Sequence, residues 1–177
     1  MELTTFKEFS YLLINCLNNG NKILVCGNGG SAAQAMHFTA ELIGRFETER
    51  QAFPCICLNT DQSILTAIGN DYGFDRVFAR QVEALGRCGY DGYSGDILIL
   101  ITTSGNSENL ILAADMAKTK GVITIALSGR DGGKLITDYR LIAHGKTTAR
   151  IQENHLRILH QVCRIIENSL TPALYVH

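Results

Sequence analysis

A chain of 177 residues, 46% of them hydrophobic, is long enough for one domain with a single buried core. Its 16 basic and 17 acidic residues leave a formal charge of −1, which argues against nonspecific attachment to nucleic acid or to an anionic membrane surface. Binding of a small anion stays open, because a few backbone N–H groups can do that locally.

In chain order, residues 3–19 read as a short helix that stops at Asn18-Asn19-Gly20, and Lys22–Cys26 reads as a strand. Ser31 is the expected cap of a helix running to about Glu47. Pro54–Leu58 is the next strand; Asp61 opens a short helix and Phe74–Leu85 is a second one. Asp96–Ile101 is almost pure Ile and Leu, Asn106–Lys120 is a helix ending at Gly121, and Val122–Leu127 is a strand followed by the turn Gly129–Gly133. Tyr139–Ala143 is a weak last strand, and Thr147 or Thr148 caps a long helix, about 148–170, with Pro172 just beyond it. Short continuous apolar strands alternating with helices predict an α/β fold with a central parallel sheet covered on both faces. No repeat or low-complexity tract interrupts this, and no apolar run is long enough to span a membrane. Neither a signal peptide nor a basic leader is recognisable, so the cytoplasm is the expected compartment. The cysteines at 16, 26, 55, 57, 88 and 163 form no CxxC pair, and buried free thiols are expected.

Ligands of open α/β sheets bind beyond the carboxyl ends of the strands. Three loops here fit that rule: CGNGGS (Cys26–Ser31), TTSGNS (Thr102–Ser107) and SGRDGG (Ser128–Gly133). Glycine permits a sharp turn and close backbone approach, and hydroxyls at Thr103, Ser104 and Ser107 can join free helix N–H groups in holding phosphate. Each loop taken singly reads equally well as simple capping and turning. Neither of the first two is a dinucleotide fingerprint or a Walker loop. His37 and Glu41 stand four apart on the helix after the first loop and share a face. Such a pair can hold a metal or move a proton; it is also an ordinary surface contact. Arg45, one turn on, can meet a substrate oxygen or pair with Glu41 or Glu49. On the last helix, Glu153 and His160 fall on nearly one face, Gln152 somewhat off it, and His155 well away. Residue chemistry alone does not choose between His155 and His160.

Taken together, CGNGGS, AMHFTAELIGRF, LNTDQSILTAIGNDYGFDRVFARQVEALG, TTSGNSENLILAADMAKTKG, LSGRDGG and ARIQENHLRILH resemble the sugar isomerase (SIS) domain family, and within it the phosphoheptose isomerase branch. The resemblance spans nearly the whole chain. It implies a single SIS domain over 1–177, a flavodoxin-like three-layer sandwich on a five-stranded parallel sheet. It implies an aldose–ketose isomerase that converts sedoheptulose 7-phosphate to glycero-manno-heptose 7-phosphate, toward lipopolysaccharide or surface glycans. Homotetramers with sites at subunit interfaces, often holding Zn²⁺, are implied too. By motif, Glu41 and His160 match the acid–base pair, and His37, Glu41, Gln152 and His160 the metal ligands. Asn28, Gly29, Gly30, Ser31, Glu41, Asn70, Asp71, Thr102, Thr103, Ser104, Ser107 and Gln152 match substrate contacts.

Three departures qualify the match. Ala149 stands where the enzymes often carry aspartate, as it does in a related non-enzymatic branch that binds the bacterial replication initiator. That branch also resembles this chain in RFETER and LNTDQSILTAIGND, but it lacks the histidine that His160 matches. A binding protein of that kind, or a phosphosugar sensor, is the alternative reading. The second departure is Cys88–Asp96, longer than the family's usual turn. The third is a short amino terminus, which bears on tetramer contacts.

Overall fold

The computed structural model describes residues 1–89 and 95–171. In chain order these form β1 (Glu2–Leu3), α1 (Phe6–Asn18), β2 (Ile23–Gly27), α2 (Gly30–Ile43), β3 (Cys55–Cys57) and α3 (Gln62–Tyr72). A turn of 3-10 helix (Phe74–Arg76), α4 (Ala79–Leu85), β4 (Ile97–Ile101), α5 (Glu108–Lys120), β5 (Ile123–Gly129), β6 (Tyr139–Ala143) and α6 (Thr148–Leu170) complete the order. All strand pairs are parallel, in the order β1-β6-β5-β4-β2-β3.

The order reverses between β2 and β4, so the loops leaving those two strands diverge and open a crevice between them. Because helices cover both faces, successive residues of a strand enter different cores. Ile23, Val25, Ile97, Ile99 and Ile101 pack with side chains of α1, α2 and α6. Leu24, Cys26, Leu98 and Leu100 pack with side chains of α4 and α5.

The sheet has six strands where five were expected, since Glu2 and Leu3 add an edge to β6. Local chemistry explains the split. The Thr5 hydroxyl accepts the Glu8 N–H, and the Glu8 carboxylate accepts the N–H groups of Thr4 and Thr5. This capping box starts α1 at Phe6 and frees the preceding residues for strand pairing. Three further differences stand out. Gly29 occupies the N-cap of α2 with φ +56°, so Ser31 lies inside the helix and caps nothing. The helix ends at Ile43, not Glu47, because a distant carboxylate takes the next N–H groups. The expected helix 74–85 is also two pieces, the 3-10 turn and α4. Tyr139–Ala143 and the Thr147 cap of α6 stand as expected. The Cys88–Asp96 segment lies largely outside the described residues.

That distant carboxylate is Glu167 of α6, 2% exposed. It accepts from the backbone of Phe46 (3.1 Å), Glu47 (3.0 Å) and Thr48 (2.8 Å) and from Arg50 Nε (3.2 Å). The rest of the Arg50 guanidinium donates to the carbonyls of Glu41, Leu42, Gly44 and Gln51 and lies 4.3 Å over the Phe53 ring. Arg50 therefore closes the open carbonyl end of α2, and Glu167 ties that end to α6. Burial alone would raise the Glu167 pKa, but the N–H donors of Glu47, Phe46 and Thr48 outweigh it and hold it below the ordinary glutamate value.

Removing one member of such a pair strands the other charge. Glu167→Ala is expected to lower unfolding free energy by about 3–5 kcal/mol, measured by urea denaturation, and a loss under about 1 kcal/mol would refute the clamp. A depressed carboxylate pKa stabilises above the unfolded value and ceases to do so as pH falls through the native one. Glu167→Gln should accordingly flatten the acid limb of the stability profile.

Candidate active site

The crevice between the β2 and β4 exits holds a cavity of about 190 Å³. Asn28, Ser31, Thr102, Thr103, Ser104, Ser107 and Gln152 all line it, with Thr148 at the start of α6. The β2 side is shaped by asparagines. Asn59 accepts from the Gly27 N–H at 3.2 Å and donates to its carbonyl at 2.9 Å. Asn28 and Asn109 exchange side-chain amide bonds of 2.8 and 2.9 Å, fastening the first loop to the first turn of α5. Asn59 and Asn109 escape sequence reasoning. An asparagine in a helix start or after a strand reads as a turn residue, and its partner in each case lies far along the chain. Gly29 and Gly30 sit beside the cavity. A side chain at Gly30 would overlap the Gln152 amide, so this glycine makes room for α6. Gln34 adds a bond of 2.6 Å from its amide to the Gln152 carbonyl.

Farther along α2, the helix turns His37 and Glu41 toward α6, where His160 meets them. His37 Nε2 lies 3.3 Å from Glu41 Oε1 and 2.8 Å from His160 Nε2. One donor atom from each of the three side chains fits within 4.8 Å of the others. Two imidazole nitrogens and a carboxylate oxygen at this spacing can share a proton or ligate a divalent cation. The Phe46 ring, 5.6 Å from the His160 ring, closes one side of the cluster.

The structure thus separates the two histidines of α6. His155 is fully buried in the core; burial pushes its pKa down, with the Ser128 backbone opposing. His160 is half-buried and faces the cluster. Glu153 pairs with Arg150 at an exposed site. Arg45 is exposed and forms an ion pair with neither Glu41 nor Glu49 among the described residues. Ala149 is exposed in the first turn of α6 and leaves Thr148 and Gln152 as the polar groups there.

Asn70 and Asp71 are not brought to the cavity. They lie at the end of α3, bonded to each other at 2.8 Å and exposed. No residue of α3 is buried, although it carries Ile64, Leu65, Ile68 and Tyr72. Tyr72 and the following Phe74 are 52% and 64% exposed. No helix among the described residues is long and apolar enough to cross a membrane.

Residues 2–129 match the SIS domain family. The phosphoheptose isomerase of Aliarcobacter butzleri is 55% identical over 167 residues, 93% of this chain and 85% of that one. The solved phosphoheptose isomerase of Neisseria gonorrhoeae superposes with a TM-score of 0.83 at 47% identity, over 92% of this chain and 85% of that chain. The one from Francisella tularensis superposes with a TM-score of 0.85 at 43% identity and the same coverage.

Sulfur takes no part in either cluster. Cys16, Cys26, Cys55, Cys57 and Cys163 are buried and unpaired, and only Cys88 is exposed. Desolvation pushes the Cys16 and Cys55 thiols up to about 12 and raises the other three as well. A thiol-disulfide reagent at mildly alkaline pH is expected to modify one cysteine rapidly and five more only on unfolding. Fast reaction of a second thiol would contradict the packing.

Proposed function

The chain belongs to the SIS domain family, within its phosphoheptose isomerase branch, and from that premise we propose that it interconverts D-sedoheptulose 7-phosphate and D-glycero-D-manno-heptose 7-phosphate. The observation that carries the reading is the meeting of Glu41 and His160 on the two helices whose first turns line a cavity of hydroxyls and amides.

The phosphate of the sugar occupies the cavity, where Ser and Thr hydroxyls and the Asn28 region donate hydrogen bonds. The carbonyl end extends toward Glu41. The Glu41 carboxylate takes a proton from C1 of the ketose as the C1–H electron pair becomes the C1–C2 double bond. His160 protonates the carbonyl oxygen on C2 to give the enediol. The imidazole then removes the proton from the oxygen on C1. The C1 carbonyl forms, and Glu41 returns its proton to C2. Atoms and charge balance with no outside reagent. A single carboxylate can serve both carbons because they are adjacent. Imidazole suits the oxygen-to-oxygen shuttle because its ordinary pKa lies near neutrality.

The donor set of His37, Glu41 and His160 fits Zn²⁺, while Gln152 lines the cavity and is not among the three clustered side chains. When bound, the ion would polarise the carbonyl and stabilise negative charge on the enediolate oxygens. Because a ligated carboxylate or imidazole cannot at once carry the proton, one role dominates at a time, and the acid–base roles of Glu41 and His160 rank first. Gln152 and His160 stand eight residues apart on α6, roughly 12 Å along its axis, so the amide lies apart from that set.

A second copy of the chain completes the site. Asn70 and Asp71 match substrate-contact positions yet lie away from this cavity, at the end of a helix with no buried residue. Leu65 and Ile68 pack against the core of their own chain, but Ile64, Tyr72 and the nearby Phe74 stay exposed, and an exposed apolar patch of this kind marks an interface. Docking α3 of one copy near α2 of another, where Met36 and Ile43 are also exposed, would carry Asn70 and Asp71 to the neighbouring crevice. A homotetramer built this way, working in the cytoplasm on precursors of lipopolysaccharide heptose, is the full reading.

The wild-type protein is expected to form aldose from sedoheptulose 7-phosphate, and Glu41→Gln to lose about 10²–10⁴-fold in kcat while still binding inorganic phosphate. Absence of wild-type turnover with and without zinc would sink the proposal. Mixing Glu41→Gln with Asp71→Ala subunits should restore part of the activity if each site draws on two copies; no recovery would place Asp71 outside it. Zinc titrated by calorimetry should bind one ion per chain, and His37→Ala should weaken it by about 10–100-fold. Equal affinity in that variant would put the ion elsewhere.

A further inference from the structure

We propose that the β5-exit loop, residues 129–135, is a clamp that sets the anion affinity of the Thr102–Ser107 loop, with Asn106 as its positioning residue. The proposal rests on the reading of the hydroxyl-lined cavity as a phosphate site.

The two loops are locked backbone to backbone and side chain to backbone. The Leu135 N–H donates to the Gly105 carbonyl at 2.9 Å. Asn106 spans the junction: its Oδ1 accepts the Lys134 N–H at 3.1 Å, and its Nδ2 donates to the Ser104 carbonyl at 3.1 Å. Space is tight. Gly105 has φ +66°, and a side chain there would collide with the Gly132 carbonyl; one at Gly133, φ +59°, would collide with the Ser104 carbonyl. The clamp has its own anchors. Asp131 accepts the Gly133 N–H at 3.1 Å, and the Arg140 guanidinium on β6 donates to the carbonyls of Asp131 and Leu135.

The consequence falls on Ser104, which lines the cavity. The Asn106 backbone N–H donates to Ser104 Oγ at 3.3 Å. A hydroxyl that accepts one bond keeps its own proton for another acceptor, and here that acceptor is a phosphoryl oxygen. Thr102 Oγ1 likewise accepts the Gly105 N–H at 3.1 Å. Two hydroxyls are therefore oriented as donors by the turn itself. Asn106 does not line the cavity, and it acts through the turn it holds.

The test uses full-length protein and inorganic phosphate as the probe, followed by calorimetry, with kinetics on the sugar phosphate alongside. Asn106→Ala is expected to weaken phosphate binding about tenfold, equivalent to ~1.4 kcal/mol. KM should rise in parallel, with kcat within about twofold, because the clamp touches binding energy and not the proton-transfer groups. Asp131→Ala, which loosens the clamp from outside the cavity, should shift both quantities in the same direction by a smaller factor, and it serves as the readout if the first variant does not fold. Unchanged phosphate affinity in the folded variants, or a fall in kcat alone, would overturn the clamp. Wild-type protein that binds phosphate but turns over no sugar would refute the isomerase reading and leave the clamp standing. Wild-type protein that binds no phosphate would refute the clamp together with the anion site.

Discussion

The ion pair between Arg50 and Glu167 is the constraint on which the placement of the His37, Glu41 and His160 cluster depends. Both side chains are buried, and charges so placed are retained only when their remaining hydrogen-bonding capacity is filled. Here it is filled by the two elements that carry the His37, Glu41 and His160 cluster. The guanidinium holds the carbonyls that end α2, the Glu41 carbonyl among them, and the carboxylate on α6 gathers the N–H groups that follow α2. Glu41 and His160 thus sit on helices whose relative position is fixed by hydrogen bonds of defined length and direction. These bonds add directional restraint to the close apolar packing that α2 and α6 share.

A second constraint comes from topology. The reversal between β2 and β4 places two loops on either side of a crevice, and each loop is stiffened by a different chemistry. The first is held by asparagine amides, Asn59 on Gly27 and Asn109 on Asn28. The second is held by the neighbouring loop through Asn106. The side chains that line the cavity are neutral, so a phosphate held there, as proposed, would be met by oriented dipoles that need little reorganisation.

Much of this was legible in the sequence, and the limits have physical causes. Strand β6 and the Thr147 cap follow from alternation and local hydroxyl chemistry, which a short window contains. The loop residues Asn28, Thr102, Thr103, Ser104 and Ser107 converge because strand exits of a parallel sheet share one edge. Periodicity could place His160 and His155 on different faces but could not say which face met α2; the structure buries His155 and turns His160 to the cluster. The end of α2 was misplaced for a related reason. Residues 44–47 carry no strong breaker beyond Gly44, and what stops the helix is Glu167, 120 residues away in the chain from Glu47. Pairings of that span leave no trace in local pattern. Nor does sequence show that Asn70 and Asp71 stand away from the cavity, at the end of α3, since a match to motif positions carries no geometry.

The two constraints divide the labour of an isomerase along the substrate. In the proposed reaction the hydroxyl- and amide-lined cavity would take the phosphoryl end, a group that does not change. The carbonyl end would then lie toward Glu41 and His160, which would have to reach adjacent carbons and their oxygens. Binding energy from the unreactive end becomes useful only if the distance between the two ends is fixed. In this fold α2 and α6 each span both. The first helix begins at the glycine turn beside the cavity and carries His37 and Glu41 farther along. The last presents Thr148 and Gln152 to the cavity and His160 to the cluster. A rigid helix is a ruler of about 1.5 Å per residue. Two such rulers, joined by the buried ion pair at one end and meeting the crevice at the other, would convert a grip on phosphate into placement of a carbonyl.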